Sequence, residues 1–161
     1  TPEDLSVIDF NDPEVGTAML QDAVWVQRSW LDDPANQDIA ARFLRASFRG
    51  WVYCRDNFDA CVESVLAAGP ALGASHQSWQ LNEINKLIWP SPGGIGVMDQ
   101  ALWEQTVEVA TSQSVITEPP AEDTFQVDLA EEAVAALEEE GLDVRGEGFQ
   151  PTEVELAPGG E

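Results

Sequence analysis

Ser75–Trp103, SHQSWQLNEINKLIWPSPGGIGVMDQALW, decides how the rest is read, because it carries the only His, the only Lys and three of the six Trp. Leu81, Ile84 and Ile88 recur at helical spacing. The spacing predicts a helix over 75–88, opened by the Ser75 hydroxyl as N-cap and stopped at Pro90, which has no N–H to continue it. Pro92 fixes φ and Gly93 and Gly94 free it, so the chain turns sharply before a second amphipathic run begins at Met98. Gly93-Gly94-Ile95-Gly96 follows prolines rather than a strand and reads as a turn, not a phosphate cradle. This helix pair is core architecture.

Toward the C-terminus, Met98, Leu102, Val109 and Ala110 keep near one side, with Trp103 beside them. A brief apolar run at Ser114–Thr117 stops at Glu118-Pro119-Pro120. Asp128, with Glu131 three residues on, has the spacing of a capping box, and Leu129, Ala133, Val134 and Leu137 form the stripe of a last helix ending at Gly141. Glu138–Glu140 put negative charge at its C-terminal end, where it opposes the macrodipole, so that turn is expected to fray. Residues 142–161 read as an extended tail packing on a body.

Toward the N-terminus, Asp32-Asp33-Pro34 opens a helix whose apolar face is Ile39, Phe43, Leu44, Phe48, Trp51 and Val52. Its Arg42, Arg45 and Arg49 could bind an anion, but in a chain rich in carboxylates they read as an ion-paired, solvated face. Asn57 or Asp56 caps the next helix, which ends at Gly69-Pro70. Leu5–Phe10 (LSVIDF) and Val24–Ser29 (VWVQRS) are β-branched runs bounded by polar turns and read as strands. The fold class expected is therefore α/β, mostly helical with a few strands. Two strands make no independent sheet, so part of such a fold has to come from elsewhere.

Thirty acidic residues against seven basic ones leave a net charge of −23. That field repels nucleic acid and anionic lipid, and suits either a salt-adapted or an acidic secreted protein. Cys54 and Cys61 would lie about 10 Å apart along an unbroken helix, but a bend at Asn57-Phe58 would let them join. Two buried thiols are the alternative; a disulfide would place the chain in an oxidising compartment. No run is long and apolar enough to span a membrane. One His and two Cys without ligand spacing predict no zinc site, and no cofactor fingerprint is present. His76, beside Trp79, could act as a base, though a structural His is the plainer reading.

The sequence resembles the C-terminal half of the substrate-binding proteins of ABC importers, in the nitrate/sulfonate/taurine family that also holds thiamine-pyrimidine-precursor binders. The resemblance is carried by Asp22-Ala23-Val24-Trp25-Val26, by Leu31 to Pro34, by Phe43-Leu44-Arg45-Ala46 with Gly50, and by Ala130, Ala133 and Leu137. It covers about residues 5–140, with loose motifs. It implies part of a two-lobe, type II periplasmic-binding-protein fold. Residues 1–22 would then end the second lobe, 23–141 would hold the hinge crossover and C-terminal helices of the first, and 142–161 the tail.

The function implied is an extracytoplasmic solute-binding protein, periplasmic or a cell-surface lipoprotein, that captures a small organic or anionic solute by lobe closure and delivers it to an ABC permease. An N-terminal lobe, from the same protein or a second chain, is the other partner implied. Open α/β sheets bind ligands beyond the carboxyl ends of strands, so Phe10, Asn11 and Asp12, with Gln27, are the candidate ligand residues. The competing readings are a thiamine-pyrimidine-synthase-like enzyme using His76, and one half of a heterodimeric binding protein.

Overall fold

A computed structural model describes residues 6, 8–20, 22–121 and 123–161. The helices are α1 Arg28–Leu31, α2 Pro34–Asp56, α3 Phe58–Ala68, α4 Ala74–Ile88, α5 Gln100–Ser112 and α6 Asp128–Glu139, followed by a 3₁₀ turn at Pro158–Gly160. Among the described residues there is no strand and no sheet. This corrects the α/β expectation, and with it the sheet-based two-lobe fold that the resemblance implied. Of the predicted strand Leu5–Phe10, Leu5 and Val7 lie outside the described residues, while Phe10 already sits in a turn. Residues 24–27 have no strand pairing, and Arg28 and Ser29 form the first turn of α1. β-branched composition reports fitness for a pleated surface, but a strand exists only where a second one accepts its backbone hydrogen bonds.

The chain divides into two compact units. Unit 1 comprises Thr1–Gln27 and Met98–Gln126, and unit 2 comprises Arg28–Val97 and Val127–Glu161.

Unit 2 is built on α2 against α6. Asp33 accepts from the Ala35 N–H at 2.9 Å to cap α2, and Pro34 occupies its first turn. Phe48 and Val52 of α2 meet Ala130, Ala133, Val134 and Leu137 of α6, and Leu137 is wholly buried. The alanines supply the low relief that lets the two helices approach. The turn after α4 completes this core with Trp89 and Ile95. The Ile95 N–H donates to the Val144 carbonyl at 3.0 Å and the Ser91 N–H to the Arg145 carbonyl at 2.8 Å, so the turn is joined to the chain that leaves α6. Gly96 has φ +76°, and a Cβ there would lie 2.2 Å from Phe48 Cζ. Only glycine lets the turn close on that ring.

Cys54 and Cys61 are disulfide-bonded across the bend between α2 and α3, their Cα atoms 5.1 Å apart. Asn57 makes the bend, its side-chain amide donating to the Tyr53 carbonyl at 3.1 Å and so finishing α2 rather than capping α3. The arginine row is ion-paired: Arg42 with Asp38 at 3.0 Å, and Arg45 and Arg49 both with Glu140. Hydrogen bonding from Arg45, aided by the charges of Arg45 and Arg49, holds the Glu140 carboxyl below the usual glutamate range. Glu138 is paired too, with Arg145 at 3.0 Å. The acidic end of α6 is thus neutralised from outside, which offsets the dipole penalty expected there.

Two predicted caps are not formed. Val127 stands at the N-cap of α6 without a side-chain hydrogen bond, so Asp128 begins the helix instead of capping it. The Ser75 hydroxyl accepts from the Ala157 N–H at 3.1 Å, and Gly73 takes the N-cap of α4.

Unit 1 centres on α5, capped by Asp99, which accepts from the Leu102 N–H at 2.9 Å. Residues 18–20 lie along it: Gln105 donates to the Ala18 carbonyl, and the Leu20 N–H to the Thr106 hydroxyl, both at 2.9 Å. Trp103 packs on Phe125 with ring centroids 4.9 Å apart. Ala110 is the one buried hydrophobic residue among the unit's described residues.

Candidate functional site

In unit 2, the C-terminal end of α2, the start of α3, one face of α4 and the chain after α6 enclose a cavity of about 350 Å³. α2 contributes Arg55 and Asp56, α3 Phe58, α4 Asn82 and Asn85, and the C-terminal segment Asp143, Phe149, Gln150 and Thr152. Asn82 and Asn85 stand three residues apart, so they share one helix face, and both are buried, Asn85 to 1% exposure. Trp89, four residues further on, carries the same face into the core.

Asn82 is satisfied, its side-chain oxygen accepting from the Thr152 N–H at 2.8 Å, which seats the C-terminal segment on α4. Asn85 is different. Its Oδ1 is buried and accepts no hydrogen bond. A buried acceptor left without a donor costs about 1–3 kcal/mol, a penalty that native structures tolerate rarely and that a bound donor removes.

Arg55 forms the charged wall, its side chain only 7% exposed. Its Nε and Nη2 donate to the two oxygens of Asp56 at 2.7 and 3.1 Å, and Nη1 donates to the Asp143 carbonyl at 2.8 Å. The guanidinium also lies 4.5 Å from the centre of the Trp89 ring, a cation–π contact in a desolvated place. All three guanidinium nitrogens are therefore engaged. The Asp143 carboxyl is held below the usual aspartate range, first by the Gly146 N–H that it accepts at 2.8 Å, then by the Arg145 N–H and the charge of Arg55. The cavity thus combines two ionised carboxylates, one committed guanidinium, two phenyl rings and one unpartnered amide oxygen.

The chain matches no family model, no characterised protein and no solved structure. The site is therefore read from its own geometry.

The residues singled out from sequence lie elsewhere. Phe10, Asn11 and Asp12 are exposed in a turn where Asp9 accepts from the Asn11 N–H at 2.8 Å and Asp12 from the Glu14 N–H at 2.9 Å. Gln27 is exposed immediately before α1, and none of the four lines the cavity. His76 is exposed near the start of α4, its ring 5.7 Å from that of Trp79. Sequence reasoning missed Asn82, Asn85 and Arg55. A signal existed: asparagines at i and i+3 beside the apolar stripe of α4, and an arginine off the face that holds Arg42, Arg45 and Arg49.

A second cavity, of about 420 Å³, lies in unit 1 between α5 and residues 119–125, with Trp103, Val107, Pro120 and Phe125 facing Glu104 and Glu108. Its lining includes no buried polar atom without a partner. Among the described residues no group of His, Cys, Asp and Glu is arranged to hold a metal ion.

The disulfide indicates an oxidising, extracytoplasmic environment. No helix is long and apolar enough to cross a membrane.

Proposed function

We propose that the chain belongs to an extracytoplasmic solute-binding protein of an ABC importer, which holds a small organic solute and hands it unaltered to a membrane permease. The observation that carries this is the unpartnered Oδ1 of Asn85 at the cavity of unit 2, a group whose burial has a cost that a solute's donor removes. The disulfide supports the compartment, periplasm or cell surface, in which such receptors work. The reading rests on the cavity and the compartment, and not on a sheet-based fold.

The N-terminal stretch supports the partner in this reading. Ile8, Phe10, Val24, Trp25 and Val26 are between 49% and 74% exposed. Apolar side chains gathered in one extended stretch mark a polypeptide contact, and we assign it to the companion lobe. The test is a thermal-shift screen of the full chain against small extracellular solutes, followed by mass spectrometry of the bound compound. A solute that raises the midpoint and is recovered chemically unchanged supports a receptor; conversion of the compound would point to an enzyme.

A further inference from the structure

We propose that the cavity bounded by Arg55, Asn85 and Phe149 takes a small organic cation with N–H donors, a protonated primary amine, whose ammonium group donates to Asn85 Oδ1 within reach of the Asp56 and Asp143 carboxylates. The inference rests on the solute-binding reading and names the chemical class of its ligand.

The ligand's charge follows from how the existing charges are used. An anion would need a free cationic donor, and Arg55 already donates from each of its three nitrogens to Asp56 and to the Asp143 carbonyl. The two carboxylates exceed the one guanidinium, so the lining is left with a net negative charge. Asp143 is held in its ionised form by the N–H groups of Gly146 and Arg145, and its side chain is about half exposed, so its charge is available at the mouth of the cavity.

The donor follows from Asn85. Its amide is almost wholly buried, and its oxygen lacks the one kind of partner an amine cation supplies. Phe58 and Phe149 complete the description: ring faces attract cations and accept the apolar part of an organic ligand. The field of a chain with net charge −23 works in the same direction, concentrating cations and repelling anions. A hydrogen bond from a charged donor to a buried amide is worth about 1.5–3 kcal/mol, or roughly tenfold or more in affinity.

The test uses the full chain and four probes of one shape: benzylammonium, benzyltrimethylammonium, benzyl alcohol and benzoate, titrated by calorimetry. Salt at about 0.5 M screens the general attraction of an acidic protein for cations. Benzylammonium is expected to bind about tenfold more tightly than the quaternary ion, which has the charge but no N–H. Asn85→Leu, close in shape, should remove that preference while circular dichroism stays unchanged. Asp56→Asn, at an exposed position, should weaken benzylammonium several-fold and serves if the Asn85 variant does not fold.

Equal binding of the two ammonium ions, no binding of benzylammonium, tighter binding of benzoate, or indifference to both substitutions would overturn the proposal. Benzoate or benzyl alcohol binding in an Asn85-dependent way would sink the cation and leave the solute receptor standing. No response to any compound in the wider solute screen would remove both.

Discussion

Unit 2 and unit 1 are made from similar residues and are finished to different degrees. Unit 2 closes a core in which Phe48, Val52, Trp89, Ile95, Val134, Leu137 and Val144 are all buried, and adds a disulfide and paired arginines around it. Unit 1 buries Ala110 and leaves Ile8, Phe10, Trp25 and Val115 at least 66% exposed. The difference is one of partners more than of hydrophobic content. In unit 2 the stripe of α6 meets the stripe of α2, whereas in unit 1 the β-branched residues before α1 meet no second strand.

The largest effect is expected where that closure is complete. Leu137→Ala should cost about 3 kcal/mol of unfolding free energy by urea denaturation, through lost burial and the cavity left behind. Phe10→Ala, in the other unit, should stay within about 0.5 kcal/mol. Similar losses at the two positions would erase the contrast.

Next in size is Gly96→Ala. Its Cβ would meet the Phe48 ring at 2.2 Å on a backbone with φ +76°. The expected cost is at least about 2 kcal/mol, combining left-handed strain with overpacking. Gly141→Ala, with φ +84° and open space around the Cβ, carries the strain alone. It should cost about 1 kcal/mol, so the pair separates close approach from backbone conformation in thermal melts.

Replacing Cys54 and Cys61 by serine should cost about 2 kcal/mol, since the loop closed is short. In the comparison of the units, the loss should appear as earlier melting of α2 and α3, followed by hydrogen exchange, with α5 unaffected.

The smallest effect is that of Glu140→Gln. Arg45 and Arg49 lower the folded pKa of Glu140 below its unfolded value. Its contribution is therefore full above the ordinary glutamate pKa of about 4.3, and is lost as pH falls through the lower folded pKa. The variant should melt slightly below the wild type at pH 7 and coincide with it once the carboxyl is protonated in both states. A gap that persists in acid would show that the group acts through packing.

How much of this was legible follows from the range of each contact. The start of α2 at Asp33-Pro34, the helical stripe of α6, the turn after Pro90 and the Cys54–Cys61 bond were readable because each is settled within a few residues. The strands were not, since their existence depends on a partner and not on their own composition. Ser75 looked like a cap, but its hydroxyl is taken by Ala157, far along the chain. The cavity was the least legible part. Asn82 and Asn85 are polar residues on a helix, and polarity normally signals exposure; only the C-terminal segment laid over α4 turns that face into an interior. The loop of Phe10, Asn11 and Asp12 drew attention as a strand end, and without the strand it is a turn whose side chains bond their own backbone.

Amide hydrogen exchange of the full chain, resolved by residue, tests the contrast between the units most directly. The account predicts that the amides of α2, α6 and Ile95 exchange only with global unfolding, while those of residues 22–27 exchange at the rate of an open chain. Strong protection of residues 22–27, equal to that of α6, would contradict it.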